Sequence, residues 1–267
     1  MSAANANELE VIAAELRAAY AAFEPIAPLR ERLGGGGVDA AYAVQQHNTE
    51  IWMRSGRRIV GRKIGLTSES VQRQLGVDQP DFGALFDDMC LRDGDVVPYR
   101  FVLQPRVEAE VALVLKGPLD HPALILDDVV AAIDYLLPAI EVVGSRIAEW
   151  KISLLDTIAD NASSGMFVLG TTPVAPESIS LAEAAMSMTI DGTVVSTGIG
   201  AACLGHPYNA ALWLARRMVT EGTPLQPGDI VMTGALGPMV DLAPGAQVEA
   251  TIEGLGTVGT SREGVVS

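Results

Sequence analysis

Basic residues are scarce in this chain: 18 Lys and Arg stand against 33 Asp and Glu, a formal net charge of −15 over 267 residues. That balance repels phosphate and argues against nucleic-acid binding. Histidine is scarcer, with only His47, His121 and His206, none in H-E-x-x-H or H-x-E spacing, which argues against a His-built zinc site. The two cysteines, Cys90 and Cys203, form no C-x-x-C pair and read as free thiols of a reducing compartment. Long apolar runs are missing too. Residues 129–143 come nearest, but Asp134, Pro138 and Glu141 leave them too polar to span a bilayer. Glu8, Glu10 and Glu15 stand where a signal peptide needs a basic start. A soluble, cytoplasmic protein with no membrane or nucleic-acid partner is the expectation. No G-x-S-x-G elbow occurs, and no Lys-Ser/Thr follows the four glycines at 34–37 as a P-loop requires.

What is present describes a globular protein: 49% hydrophobic and 19% charged residues, on a chain long enough for one large domain or two small ones. Apolar residues at helical spacing predict a helix over 7–33, broken by the glycine run. Asp39 is placed to cap a second helix reaching Trp52. Residues 58–67 read as a short strand ending in a glycine turn, followed by a helix over 68–75. From about Val96 short β-rich runs dominate: 108–115, 140–143, 163–169, 186–190, 229–233 and 247–252, interrupted by helices near 127–137 and 209–220. The expected fold is α+β, with a small helical N-terminal segment on a mixed, mostly antiparallel β body. The expected division is 1–95 for the front α/β segment and 96–267 for the body.

The chemistry concentrates in carboxylates on apolar strands. In Pro105-Arg106-Val107-Glu108-Ala109-Glu110, side-chain alternation puts Glu108 and Glu110 on one strand face, with Ala112 and Val114 beyond them. Like charges beside core residues are costly unless a cation lies between them, and carboxylate oxygens suit Mg²⁺ or Mn²⁺. For an isolated pair the commoner reading is a wet strand edge facing Arg106 or solvent. Glu141 is a third acid on an apolar strand; three such carboxylates supply half an octahedral shell. Lys63 is read either as a surface lysine at a strand end or as a partly buried amine that stabilises an enolate or moves a proton. Asp78 and Asp81 fall in a Gly-, Pro- and Asp-rich turn, where backbone bonding is the ordinary role. The polar stretch 156–165, which contains Ser163, is suited either to capping or to holding a carboxylate substrate.

Together these segments resemble the 2-keto-4-pentenoate (2-hydroxypenta-2,4-dienoate) hydratases of the fumarylacetoacetate hydrolase-like superfamily. The resemblance rests on G-R-K-I-G-L-T at 61–67, Q-L-G-V-D-Q-P-D-F-G at 74–83, Q-P-R-V-E-A-E at 104–110 and E-V-V-G-S-R-I at 141–147. It continues through 156–165, C-L-G-H-P at 203–207 and G-D-I-V-M-T-G-A-L-G-P-M-V at 228–240. It implies a β-roll body in which Glu108, Glu110 and Glu141 bind Mg²⁺ or Mn²⁺, while Lys63, Asp81 and Ser163 are catalytic and contact substrate. It implies a metal-dependent hydro-lyase that converts 2-hydroxypenta-2,4-dienoate to 4-hydroxy-2-oxopentanoate in meta-cleavage catabolism of aromatic compounds. It also implies a homo-oligomer, pentamer or decamer, with association to a pathway decarboxylase or aldolase. The rival activities are decarboxylation of 4-oxalocrotonate and hydration of a longer 2-hydroxydienoate such as 2-hydroxyhexa-2,4-dienoate.

Overall fold

The structure is a computed structural model that describes residues 6–68, 72 and 77–265. It opens with helices α1 (Ala6–Ala22), α2 (Arg30–Leu33) and α3 (Gly37–Arg54). The single helix expected over 7–33 is therefore two. Pro25 and Pro28 explain the break, since each fixes φ, lacks an amide donor and pushes the preceding residue out of the helical region. The second long helix begins at Gly37 with Gly36 as its cap, so Asp39 lies in the first turn rather than at the cap. The helix expected over 68–75 falls largely outside the described residues.

Two sheets carry the rest. The larger has the order β2-β1-β10-β5-β6-β7-β3, with β11 (Val240–Asp241) paired to β5. Its strands are β1 (Ile59–Gly65), β2 (Asp81–Phe86), β3 (Cys90–Arg92), β5 (Arg106–Leu115), β6 (Ile133–Val143), β7 (Met166–Leu169) and β10 (Ile230–Ala235). Strands from before and after residue 95 thus share one sheet. The smaller sheet runs β4-β13-β12-β8-β9, over Val96–Val97, Gly256–Arg262, Gln247–Ile252, Ala185–Ile190 and Thr193–Ile199. Pairing is mixed and mostly antiparallel; β1·β10, β3·β7 and β4·β13 are the parallel pairs. Further helices with both ends among the described residues are α4 (Leu126–Ala132), α5 (Leu154–Ala159) and α6 (Pro207–Thr220).

The helix expected over 127–137 stops at Ala132, and the chain from Ile133 onward is strand. Pairing decides this: Ile133 through Val143 lie against Leu115 through Arg106, burying both faces of β5 and β6. The strand expected from 163 starts at Met166, because 161–163 form a left-handed turn.

Val107, Ala109, Val111 and Leu113 of β5 face the main core, which includes Leu214 and Met218 of α6 and Met188 and Val258 of the smaller sheet. The opposite face places Ala112, Leu137 and Ala139 against Phe86, Phe167 and Met232. Glu108, Glu110 and Glu141 sit on that second face by strand alternation. Helices α1–α3 form their own apolar cluster with Ile147, Ile158 and Ala159, which seats α5 beneath them. No helix among the described residues is long and apolar enough to cross a membrane. Both cysteines are free thiols.

Candidate metal centre and active site

Register builds the acid cluster. Glu108 is the direct cross-strand partner of Glu141, and Glu110 follows two residues along β5 on the same face. One ligand oxygen from each of the three lies within 4.8 Å of the others. The wet-edge reading fails for Glu110, which is 0% exposed, while Glu108 is partly exposed where it lines a cavity; Glu141 is 1% exposed.

A bulge completes the floor. Between Met232↔Ala112 and Ala235↔Glu110, β10 carries one residue more than β5. Gly234 takes φ +101° there and donates its N–H to Glu110 Oε2 at 2.9 Å. A side chain at 234 would collide with Thr67, so glycine is required.

Lys63 comes from the centre of β1 and is buried, which sets aside the surface reading. Its Nζ lies 3.2 Å from Glu141 Oε2 and donates to the Ala162 carbonyl at 2.9 Å. Burial opposes its charge, but Glu141, Asp81, Glu108 and Glu110 outweigh burial and raise its pKa. Asp81 is the first residue of β2, paired with Gly65 and 1% exposed, rather than a solvated turn residue. Asp78 is exposed and is not among the described residues that line the cavity. A Cβ at Gly65 would lie 2.2 Å from Asp81 Oδ1, so the bare backbone at 65 makes room for the carboxylate.

Thr157, on α5, links the remaining groups. Its Oγ1 donates to Asp81 Oδ2 at 3.1 Å and lies 3.2 Å from Ser163 Oγ. A hydroxyl has one proton, so with Asp81 ionised the Ser163 hydroxyl donates to Thr157. Sequence reasoning did not single out Thr157; its one signal was a hydroxyl in the polar stretch that feeds β7.

Carboxylates packed this closely resist ionisation. Burial, then the charge of Glu141, pushes Glu108 up to about 7. Burial likewise raises Glu110, further lifted by Glu141 and Glu108, and raises Glu141 against the pull of Lys63. Asp81 is raised by burial, while Lys63 and Thr157 pull it back.

Three acids with one buried lysine leave an excess of negative charge, and Glu110 Oε1 and Glu141 Oε1 have no hydrogen-bond partner among the described residues. Buried oxygens in that state are expensive, and a hard divalent cation fits them. The cluster opens into a cavity of about 680 Å³ reached by Lys63, Asp81, Glu108, Thr157 and Ser163. Its far walls are apolar, including Trp150, Ile152, Ile199, Leu236 and Met239, and Lys63 is the only basic side chain among the described lining residues. Such a site suits a small anion with an uncharged tail.

Residues 48–261 match the family model of the fumarylacetoacetate (FAA) hydrolase C-terminal region. The chain is 54% identical over 258 residues to 2-keto-4-pentenoate hydratase 1 of Dechloromonas aromatica, covering 97% of this chain and 98% of that protein. It is 51% identical over 257 residues to the 2-keto-4-pentenoate hydratase of Paraburkholderia xenovorans, covering 96% of each. Among solved structures it is similar to 4-oxalocrotonate decarboxylase from Pseudomonas putida G7, complexed with magnesium and adipate. That likeness has a TM-score of 0.93 at 33% identity and covers 98% of this chain and 100% of the other.

Proposed function

The chain belongs to the fumarylacetoacetate hydrolase C-terminal family as an enzyme of the hydro-lyase class, and on that premise we propose that it hydrates 2-hydroxypenta-2,4-dienoate to 4-hydroxy-2-oxopentanoate. The observation that carries the reading is one cavity lined by Glu108 of the three-glutamate cluster together with Lys63, Asp81 and Ser163. Glu108, Glu110 and Glu141 would hold Mg²⁺ or Mn²⁺. When bound, the ion supplies Lewis acidity and an anchor for the carboxylate and 2-oxygen of the substrate.

The chain's own groups then divide the work. Lys63, fixed between Glu141 and the Ala162 carbonyl, is a preorganised cation beside the oxygens that gain negative charge. Asp81 is the proton carrier. In its protonated form it gives that proton to the terminal carbon and takes up the 2-hydroxyl proton in return, so the conjugated ketone forms and Asp81 ends protonated as it began. Water then adds its oxygen to C4, and its proton passes through Asp81 to C3. Thr157 and Ser163 aim Asp81 and the substrate, and the apolar walls keep bulk water from competing.

Decarboxylation of 4-oxalocrotonate is the second reading, supported by the likeness to the Pseudomonas enzyme. Against it stands the lack of a second basic side chain among the described lining residues, which leaves a second carboxylate unpaired. The cavity leaves room for a longer uncharged tail, as in 2-hydroxyhexa-2,4-dienoate. The proposed setting is the cytoplasm, in meta-cleavage catabolism, as a homo-oligomer working beside a decarboxylase or aldolase. Exposed Val194, Val195 and Ile199 on edge strand β9 support the homo-oligomer.

The test is ultraviolet loss of freshly generated 2-hydroxypenta-2,4-dienoate with Mg²⁺ or Mn²⁺ and again with EDTA, the product being identified by mass. Cation-dependent loss to a product heavier by one water is the expected result. Carbon dioxide released from 4-oxalocrotonate, with the dienoate untouched, transfers the assignment to the decarboxylase.

A further inference from the structure

The Lys63 ammonium and the Ser163 hydroxyl both depend on one unusual turn. Asn161, Ala162 and Ser163 carry φ of +54°, +52° and +55° in succession. Each is a non-glycine residue in the left-handed region, and three in a row persist only where the surroundings hold them. The turn's middle carbonyl, that of Ala162, is the acceptor for Lys63 Nζ, and its last side chain meets Thr157.

Two side-chain clamps grip this turn from outside the cavity, beside the backbone bond from Gly144 N–H to the Ser163 carbonyl. On one flank the Asn161 side chain pairs with strand β2, accepting from Ala84 N at 2.8 Å and donating to Ala84 O at 2.9 Å. On the other flank stands Arg146, 1% exposed and among the largest fully buried side chains. Its Nε and its backbone N–H donate to the two carboxylate oxygens of Asp160, the residue before the turn. Its Nη2 donates to the Asp160 carbonyl at 2.8 Å and its Nη1 to the Ser164 carbonyl, just after the turn, at 3.0 Å. The guanidinium thus bridges the two ends of the turn, and the Tyr20 ring of α1 covers it, with Cζ 4.2 Å from the ring centroid. Arg146 does not line the cavity.

We propose that Arg146 is a positioning residue that closes the left-handed turn at 161–163 and so sets the Ala162 carbonyl under Lys63 and Ser163 against Thr157. The planar fork of Arg reaches both ends at once; a lysine there keeps the charge but cannot make the paired bonds. The metal ligands lie on β5 and β6, outside the turn. The activity part of the test rests on the hydratase reading above, and the other measurements do not.

The experiment compares wild type, Arg146→Lys and the double variant Arg146→Lys with Ala162→Gly. Misplacing reacting groups by about 1 Å costs up to about 100-fold in rate, so Arg146→Lys is expected to lower kcat by about 10- to 100-fold with KM within about threefold. Mn²⁺ affinity is expected to stay within a factor of about three, while amide exchange speeds up over 160–165 alone. Glycine adopts positive φ freely, so Ala162→Gly is expected to recover at least about tenfold of the lost kcat without Arg146. Loss of kcat in step with Mn²⁺ affinity and global stability, or no recovery in the double variant, overturns the proposal. If Arg146→Lys does not fold, Asn161→Ala removes the clamp on the other flank and must give the same split between kcat and KM. A wild type that leaves the dienoate untouched refutes the hydratase reading, whereas amide exchange and Mn²⁺ affinity still decide the role of Arg146.

Discussion

Replacing Glu108 by Gln should stabilise the metal-free protein at alkaline pH and destabilise the metal-loaded one. Without a cation, burial and Glu141 lift the Glu108 carboxyl from 4.5 to about 7. Between those values the folded chain holds a proton that the unfolded chain has released, so stability falls as pH rises through the window. At about 1.4 kcal/mol per pKa unit, the full loss from this one group is at most about 3 kcal/mol, complete above its folded pKa. Gln resembles the protonated carboxyl and does not titrate. Metal-free Glu108→Gln should therefore match wild type near pH 4 and exceed it near pH 8 by up to about 3 kcal/mol. For a chain of this size that is a melting-point gap of roughly 6–12 °C. Mn²⁺ reverses the order, since an ion at about 1,000 times its Kd stabilises the folded state by about 4 kcal/mol and needs the ionised carboxylate. The assay is urea unfolding of EDTA-treated protein across the window, repeated with saturating Mn²⁺. A metal-free wild type that gains stability on the variant as pH rises would refute the reasoning. So would Mn²⁺ that stabilises both proteins equally at pH 8.

Gly65→Ala should cut kcat by at least about tenfold while leaving Mn²⁺ affinity unchanged, because the new methyl carbon falls 2.2 Å from Asp81 Oδ1 and displaces Asp81, the proposed proton carrier; parallel rate and calorimetric measurements check it. Thr157→Val keeps the shape but leaves Ser163 and Asp81 without their shared hydroxyl, a loss of about 1–3 kcal/mol that should appear as a fall of roughly 10- to 100-fold in kcat. Trp150→Ala removes a wall of the cavity, and steady-state kinetics should show a KM raised more than kcat is lowered. Glu110→Gln should weaken Mn²⁺ binding by at least about tenfold in calorimetry, since the amide supplies one neutral ligand oxygen where the carboxylate supplied charge.

Much of the site was legible because strand alternation is a local rule. Val107 through Leu115 alternate regardless of what packs on them, so Glu108 and Glu110 had to share a face. The apolar neighbours of Glu141 marked it as buried for the same reason. Element boundaries were less legible where pairing overrode local preference. Residues 133–137 fit a helix by composition, yet they complete an eleven-residue strand because β5 supplies partners along its whole length. Asp81 read as a turn residue from its Gly- and Pro-rich surroundings, and became a buried strand residue because Gly65 of β1 leaves space opposite it.

By itself the sequence determined the acidic, cysteine-poor character, the α+β class, and the residue types from which a cation site is made. Those follow from composition and from spacing of two or four residues, which operate within one element. Only the tertiary structure decided that Glu141 faces Glu108, that a bulge turns the Gly234 amide onto Glu110, and that Thr157 joins Asp81 to Ser163. It also decided that three left-handed residues held by Arg146 carry the acceptor for Lys63. These are contacts between segments up to 124 residues apart. Their geometry comes from register and packing, which no local pattern encodes.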